Sequence, residues 1–263
     1  MIGLVFAPAG VNTQEKEKIK IAGSGGMIPL VTQLAGAFMK EHPAVMVQVN
    51  QASIQSSGGI KGTADGLLQI GMANRELKDD EKDLGLTAIE IARVGVAFAV
   101  NKNLSVRALS SSDICGIYSG AVVNWKDLGL QDEKITALTK PDTDATKELV
   151  RKSLPCFASL KEPASVSSIP TSPAMAEILS GTRSIGITDM VDINASQGRI
   201  VGLTVDGTAP TLDTIKSGQY KLVQSYRLVV KGSPTGTTKA FIDFVRSQSG
   251  AKIIEARNAV PVK

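Results

Sequence analysis

Lys18-Ile19-Lys20-Ile21-Ala22-Gly23-Ser24-Gly25-Gly26-Met27-Ile28-Pro29 decides how the rest of the chain is read. Lys18 to Ala22 alternates polar and apolar side chains, the period of a strand. It runs straight into Gly23-Ser24-Gly25-Gly26, and an apolar-periodic helix is expected at once, from Pro29 to Lys40. Glycines at such a bend let the backbone turn tightly, so that consecutive N–H groups can face one ligand. The helix start adds a partial positive charge. Taken alone, the same residues also describe a plain tight turn.

The unit then recurs. Val45 to Val49 reads as a second strand, Gln51 to Gly59 as a polar loop, and a helix is expected near Ile60 to Leu68. Ile70 to Ala73 reads as a third strand ending at Asn74-Arg75. This strand-to-helix rhythm is that of an α/β protein with parallel βαβ units, in which ligands collect beyond the carboxyl ends of the strands. Ser56-Ser57-Gly58-Gly59 repeats the chemistry of the first loop: a serine there caps a helix or donates to an oxyanion. Arg75 suits bidentate binding of a tetrahedral anion, or a surface pair with Glu76. Neither loop has the GK[ST] ending of nucleotide hydrolases.

Ala92 to Val100 closes a long apolar run suited to a central strand that crosses between domains. Helices are expected near Ser110 to Tyr118 and Asp144 to Ser153, and a short strand at Ser184 to Thr188. Tyr226 to Val230 is a second candidate crossover, followed by an amphipathic helix from Thr237 to Ser247. Two crossovers place residues 19–95 and 200–263 in one lobe and 96–199 in the other. Residues 1–18 are set apart as a leader. Its apolar start, Met1 to Gly10, lacks the basic residues of a secretory signal and reads as a truncated signal tail or a disordered leader. Lys140-Pro141-Asp142-Thr143-Asp144-Ala145-Thr146-Lys147 leads into a helix, with Asp or Thr as its ordinary cap.

The totals exclude several classes. In 263 residues, 43% apolar and 21% charged composition is that of a globular protein with room for two domains. No apolar stretch approaches the roughly 18 residues of a membrane span. Aromatics at 4% are too few for nucleic-acid stacking platforms, and the net charge of +4 carries only a modest bias toward anions. With His42 as the single histidine and no nucleophile elbow or HExxH motif, neither a catalytic centre nor a metal site is expected. Cys115 and Cys156 lack metal-site spacing, which leaves a structural disulfide and two buried thiols as open readings.

The carboxyl-terminal third carries a resemblance. It contains Val205-Asp206-Gly207-Thr208-Ala209-Pro210-Thr211, then Ile215 to Tyr220, Tyr226 to Gly232, Ala240 to Val245 and Val260-Pro261-Val262. With Asp113 to Gly120 and Asn124-Trp125, these stretches resemble the phosphate-binding proteins of bacterial phosphate ABC importers. That resemblance implies the type II periplasmic binding protein fold, two α/β lobes joined by a two-strand hinge with the ligand in the cleft between them. It implies a periplasmic, secreted monomer with no cofactor, whose partners are phosphate or a similar oxyanion and the importer's permease subunits, not nucleic acid. Another polar solute, or a sensory module on the same fold, is the alternative. By position, the ligand residues would be Ser24 with the amides of Met27 and Ile28; Ser56 and Ser57; Asn74 and Arg75; and Lys140, Asp144, Ala145 and Thr146.

Two of these loops depart from the family pattern. One well-known version has an acidic residue where Asn74 stands, which accepts the proton of hydrogen phosphate and helps reject sulfate; other members resemble this chain more closely, with a small polar residue followed by arginine. The fourth loop typically reads arginine, then Ser-Gly-Thr, where this chain has Lys140, Asp144, Ala145 and Thr146. Either Asp144 takes over the acceptor role, with a proton between it and the anion, or the pocket holds another solute.

Overall fold

The computed structural model describes residues 16–262. The amino-terminal part runs β1 (Glu17–Gly23), α1 (Ile28–Glu41), β2 (Val45–Val49), α2 (Gln55–Ala64), β3 (Ile70–Ala73), the short α3 (Asp79–Lys82) and the long β4 (Leu86–Asn101). The middle runs β5 (Ala108–Leu109), α4 (Ser111–Ser119), β6 (Thr136–Thr139), α5 (Ala145–Ser153), α6 (Pro155–Ala158), β7 (Ser167–Ser168), α7 (Ser172–Gly181) and β8 (Ser184–Asp189). It continues through α8 (Met190–Ala195), β9 (Ile200–Gly202), β10 (Thr204–Val205) and α9 (Leu212–Lys216). The chain closes with β11 (Val223–Lys231), α10 (Gly236–Arg246), α11 (Gln248–Ala256) and β12 (Ala259–Pro261).

Strand order along the main sheet is β2-β1-β3-β11-β4-β8-β6-β7. β1 is parallel to β2 and β3, and β6 is parallel to β8. β4 joins the two halves: Leu86 to Gly95 pairs with β11, and Val96 to Val100 pairs with β8. That dual role explains the apolar run in its sequence, since a strand covered on both faces has no reason to alternate. The first core gathers Ile19, Ile21, Leu30, Leu34, Phe38, Leu228 and Phe241. In α1, Leu30, Val31, Leu34, Ala35 and Phe38 fall on one face at helical spacing and are buried against it. A second core gathers Phe98, Tyr118, Trp125, Phe157 and Ile185.

Three boundaries differ from the sequence reading. Residues 1–15 of the expected leader lie outside the described residues, while Glu17 and Lys18 already belong to β1, in register with Val45 and Met46. Leu203, Val205, Ile215, Tyr220 and Leu222 pack in the second core, not the first. The cause is β9, which pairs with the far half of β4 (Ala99 with Gly202) and holds this segment on the second side. The chain rejoins the first core only at Tyr226 and Leu228. Lastly, α2 begins at Gln55, so Ser56 to Gly59 form its first turns and not a loop.

Cys115 on α4 and Cys156 on α6 are joined, their Cα atoms 6.2 Å apart. A disulfide at a sequence separation of 41 removes entropy from the unfolded chain worth about 3–4 kcal/mol. Among the described residues no helix is long and apolar enough to cross a membrane, and no His/Cys/Asp/Glu cluster has metal-site geometry.

Candidate functional site

Five segments meet between the two cores: Ser24–Gly26, Ser53–Ser57, Asn74-Arg75, Thr143–Thr146 and Pro170–Ser172. They enclose a cavity of about 30 Å³. Sites for drug-sized organic ligands run to several hundred Å³, so this one suits a single small ion with little or no water.

Glycine makes the first segment. Gly23 has φ +148, and a Cβ there would lie 2.1 Å from Met72 O; its absence lets Ser24 N donate to that carbonyl at 3.0 Å. Gly25 to Met27 form a single 3-10 turn ahead of α1. The amides of Met27 and Ile28, expected as ligands, are spent within this turn on Ser24 O and Gly25 O. It is the backbone of Gly25 and Gly26, with Ser24, that lines the cavity. A Cβ on Gly26 would stand 2.8 Å from Asp189 Oδ2 and 3.1 Å from Tyr226 OH, so only glycine admits that close approach.

Gln55 at φ +61 turns the chain into α2, placing Ser56 and Ser57 in its first turn with amides that have no helical partner. Gly59 keeps α2 tight on the sheet, since a Cβ there would be 2.9 Å from Ala22 O. Ser56 Oγ donates to Asn74 Oδ1 at 2.7 Å and accepts from Asn74 N at 3.2 Å. Asn74 Nδ2 reaches across to Thr146 Oγ1 (3.3 Å) and Gln224 Oε1 (3.1 Å), and Thr146 Oγ1 itself donates to Gln224 Oε1 at 3.1 Å. Asn74 therefore bridges the first core's strands and the start of α5. Arg75 lines the cavity, but its guanidinium is held by both oxygens of Glu81 (2.6 and 2.7 Å) and donates to Ser57 Oγ at 2.9 Å. The Arg75 contact in turn holds the Glu81 carboxyl below its ordinary range, despite burial.

On the opposite side, Asp144 is the N-cap of α5, its Oδ1 accepting from Thr146 N (2.8 Å) and Lys147 N (3.3 Å). This carboxylate occupies the amides that a helix start otherwise offers to an anion. Ala145 and Thr146 line the cavity. Lys140 does not. Its side chain is buried, and Nζ donates to Ser172 Oγ at 3.1 Å, behind the lining. Burial pulls the Lys140 ammonium down from its usual range, opposed by Asp144, Asp189 and Asp192.

Beneath the cavity lies a buried polar network that the sequence reading missed, with the segment Pro170–Ser172. Asp189 caps α8 through Val191 N and Asp192 N, both at 3.1 Å. Its Oδ2 also accepts from Tyr226 OH at 2.6 Å and Gln224 Nε2 at 3.3 Å. Tyr226 OH stands 2.8 Å from Gly26 O, so one hydroxyl touches both sides of the cleft. Burial raises the Asp189 carboxyl, and the Tyr226 bond opposes that rise. Asp192 has an oxygen with no partner; burial and then Asp189 push its carboxyl well above the usual range. Asp189 was legible by the rule that singled out Asn74, a polar residue at the carboxyl end of a parallel strand. Thr171-Ser172-Pro173 was legible as a hydroxyl cap with proline in the first turn.

Residues 10–249 match the model of the PBP superfamily domain. The phosphate-binding protein PstS of Bacillus subtilis is 30% identical over 249 residues, covering 93% of this chain and 80% of that protein. A crystal structure of a candidate phosphate ABC transporter substrate-binding protein from Clostridium perfringens, with bound phosphate, superposes with a TM-score of 0.83. It is 29% identical, covering 94% of this chain and all of that one. An ABC-type phosphate transport receptor from Vibrio cholerae, 23% identical with a TM-score of 0.69 over 92% of this chain and 99% of that one, shares the fold.

Proposed function

Because the chain belongs to the phosphate-binding protein family of the PBP superfamily, we propose that it captures inorganic phosphate in this cleft and delivers it to the permease of an ABC importer. The carrying observation is the convergence of the starts of α1, α2, α5 and α7 on a cavity of about 30 Å³ lined by hydroxyls and glycine amides. Desolvating an oxyanion costs many kcal/mol unless donors replace its water. The first-turn amides of α2 have no helical partner and are backed by the helix dipole, whereas the Met27, Ile28, Thr146 and Lys147 amides are already taken. The lining of Ser24, Ser53, Ser56, Ser57, Thr143, Thr146, Thr171 and Ser172 suits such a ligand better than an apolar one.

In this reading two lobes close around β4 and β11. One holds 17–95 and 223–262; the other holds 96–222. The Cys115–Cys156 disulfide supports an oxidising, extracytoplasmic location, in keeping with delivery to a membrane permease. Asp144 then sets the protonation state of the ligand. Asp144 lines the cavity with its Oδ1 held by two amides, and a carboxylate beside a bound anion is favourable only with a proton between them. Hydrogen phosphate carries that proton and sulfate does not.

Isothermal titration of ligand-stripped protein with phosphate, sulfate, molybdate and tungstate tests the reading. Phosphate alone is expected to bind tightly. Asp144→Ala is expected to abolish phosphate binding; retained or strengthened binding would remove Asp144 as the proton acceptor. Silence toward phosphate in the parent would end the phosphate reading itself.

A further inference from the structure

Lys140 is a buried cation beside the cleft that does not line the cavity. Lys140 is 1% exposed and its Nζ donates to Ser172 Oγ at 3.1 Å. Ser172, 6% exposed, lines the cavity from the first residue of the ten-residue helix α7. A hydroxyl that accepts from an ammonium keeps one hydrogen to give. Among the described residues nothing accepts it: the Lys140 bond is the whole of the Ser172 side chain's hydrogen bonding. A nearly buried donor without an acceptor is costly in a protein interior. Two of the other lining hydroxyls differ, since those of Ser56 and Thr146 donate to protein acceptors.

The surroundings keep this arrangement fixed. Thr171 caps α7 by accepting from Ala174 N at 3.2 Å, and its Cβ would be only 3.4 Å from a Cβ on Gly25. The start of α7 is thus pressed against the glycine turn, and Ser172 Oγ would be 3.6 Å from a Cβ on Gly26. Ser172 N is at the first helical position, where an amide has no partner within the helix. Proline follows at 173, so the next position offers none.

We propose that Ser172 is a ligand of the bound oxyanion and that Lys140 is its positioning residue, delivering positive charge through the serine hydroxyl instead of by direct contact. This rests on the oxyanion reading of the cleft. An ammonium is a compact point charge that pays heavily for desolvation. Interposing a hydroxyl lets it remain among Asp144, Asp189 and Asp192 while polarising the O–H that faces the anion.

The test is titration of ligand-stripped full-length protein with inorganic phosphate for the parent, Ser172→Ala, Lys140→Met and the double variant, with ligand-free melting to check folding. Ser172→Ala is expected to weaken phosphate about 10- to 100-fold, the loss of one charge-assisted hydrogen bond, with melting little changed. The double variant is expected to bind no more than about twofold worse than the weaker single one, because Lys140 acts through Ser172. Ser172→Ala binding within twofold of the parent would overturn the proposal, and so would full additivity in the double variant. If Lys140→Met does not fold, Ser172→Ala decides alone. If the parent binds another oxyanion but not phosphate, the phosphate reading fails and the same comparison is run with that ion. A parent that binds no oxyanion overturns both.

Discussion

The two sides of the cleft manage positive charge in opposite ways. On the first side, Arg75 stands at the rim with its guanidinium clamped by Glu81, while Ser56 and Asn74 satisfy one another. On the second, Lys140 is withdrawn behind Ser172 among buried carboxylates, and Asp144 fills amides of a helix start. The first side is a set of groups paired with one another near the rim, which tolerates losing a member. The second is a desolvated network in which each member compensates another, so its removal leaves a charge with nowhere to go.

The sharpest way to break this contrast is Asp189→Ala. It removes the α8 cap and the acceptor for Tyr226 and Gln224, and strips Lys140 of a counter-charge. A loss of about 3–5 kcal/mol in urea unfolding is expected; a loss below about 1 kcal/mol would mean the network is not held together by charge. Next, Cys115→Ser with Cys156→Ser should cost about 2–4 kcal/mol in the same assay. The loss should fall on the second lobe, where both cysteines reside.

On the first side the effects are smaller. Glu81 has its carboxyl lowered by Arg75, so the pair adds stability above the ordinary carboxyl value of 4.5 and loses it as pH falls through the depressed one. Glu81→Gln should cost about 1–2 kcal/mol at pH 7 and nearly nothing near pH 2, so the difference between the two proteins in urea melts shrinks with acid. An equal difference at both pH values would place the Glu81 effect outside its ionisation. Ser56→Ala, which leaves Asn74 Oδ1 and Asn74 N without their partner, should cost about 1 kcal/mol or less.

The same contrast governs what was legible in the sequence. β2 and β3 fall where alternation and apolar runs put them, because short strands bounded by polar loops carry their limits locally. Gly23 to Gly26 announced a turn into a helix, and the first side of the cleft follows from it in sequence order. The start of α2 was misplaced because Gln55 takes a left-handed backbone that nothing in its side chain signals. The second side draws on residues 140, 172, 189, 224 and 226, which β4 and β11 bring together only once the sheet forms. Local pattern cannot tell that Lys140 stops short of the cavity, since that depends on α7 placing Ser172 in between.

The decisive measurement is titration of ligand-stripped protein with phosphate at pH 7 in a hundredfold excess of sulfate. Heat and affinity unchanged by the sulfate are the expected result, since Asp144 requires a proton on the ligand. No phosphate heat, or heat abolished by sulfate, would contradict a cleft built for hydrogen phosphate.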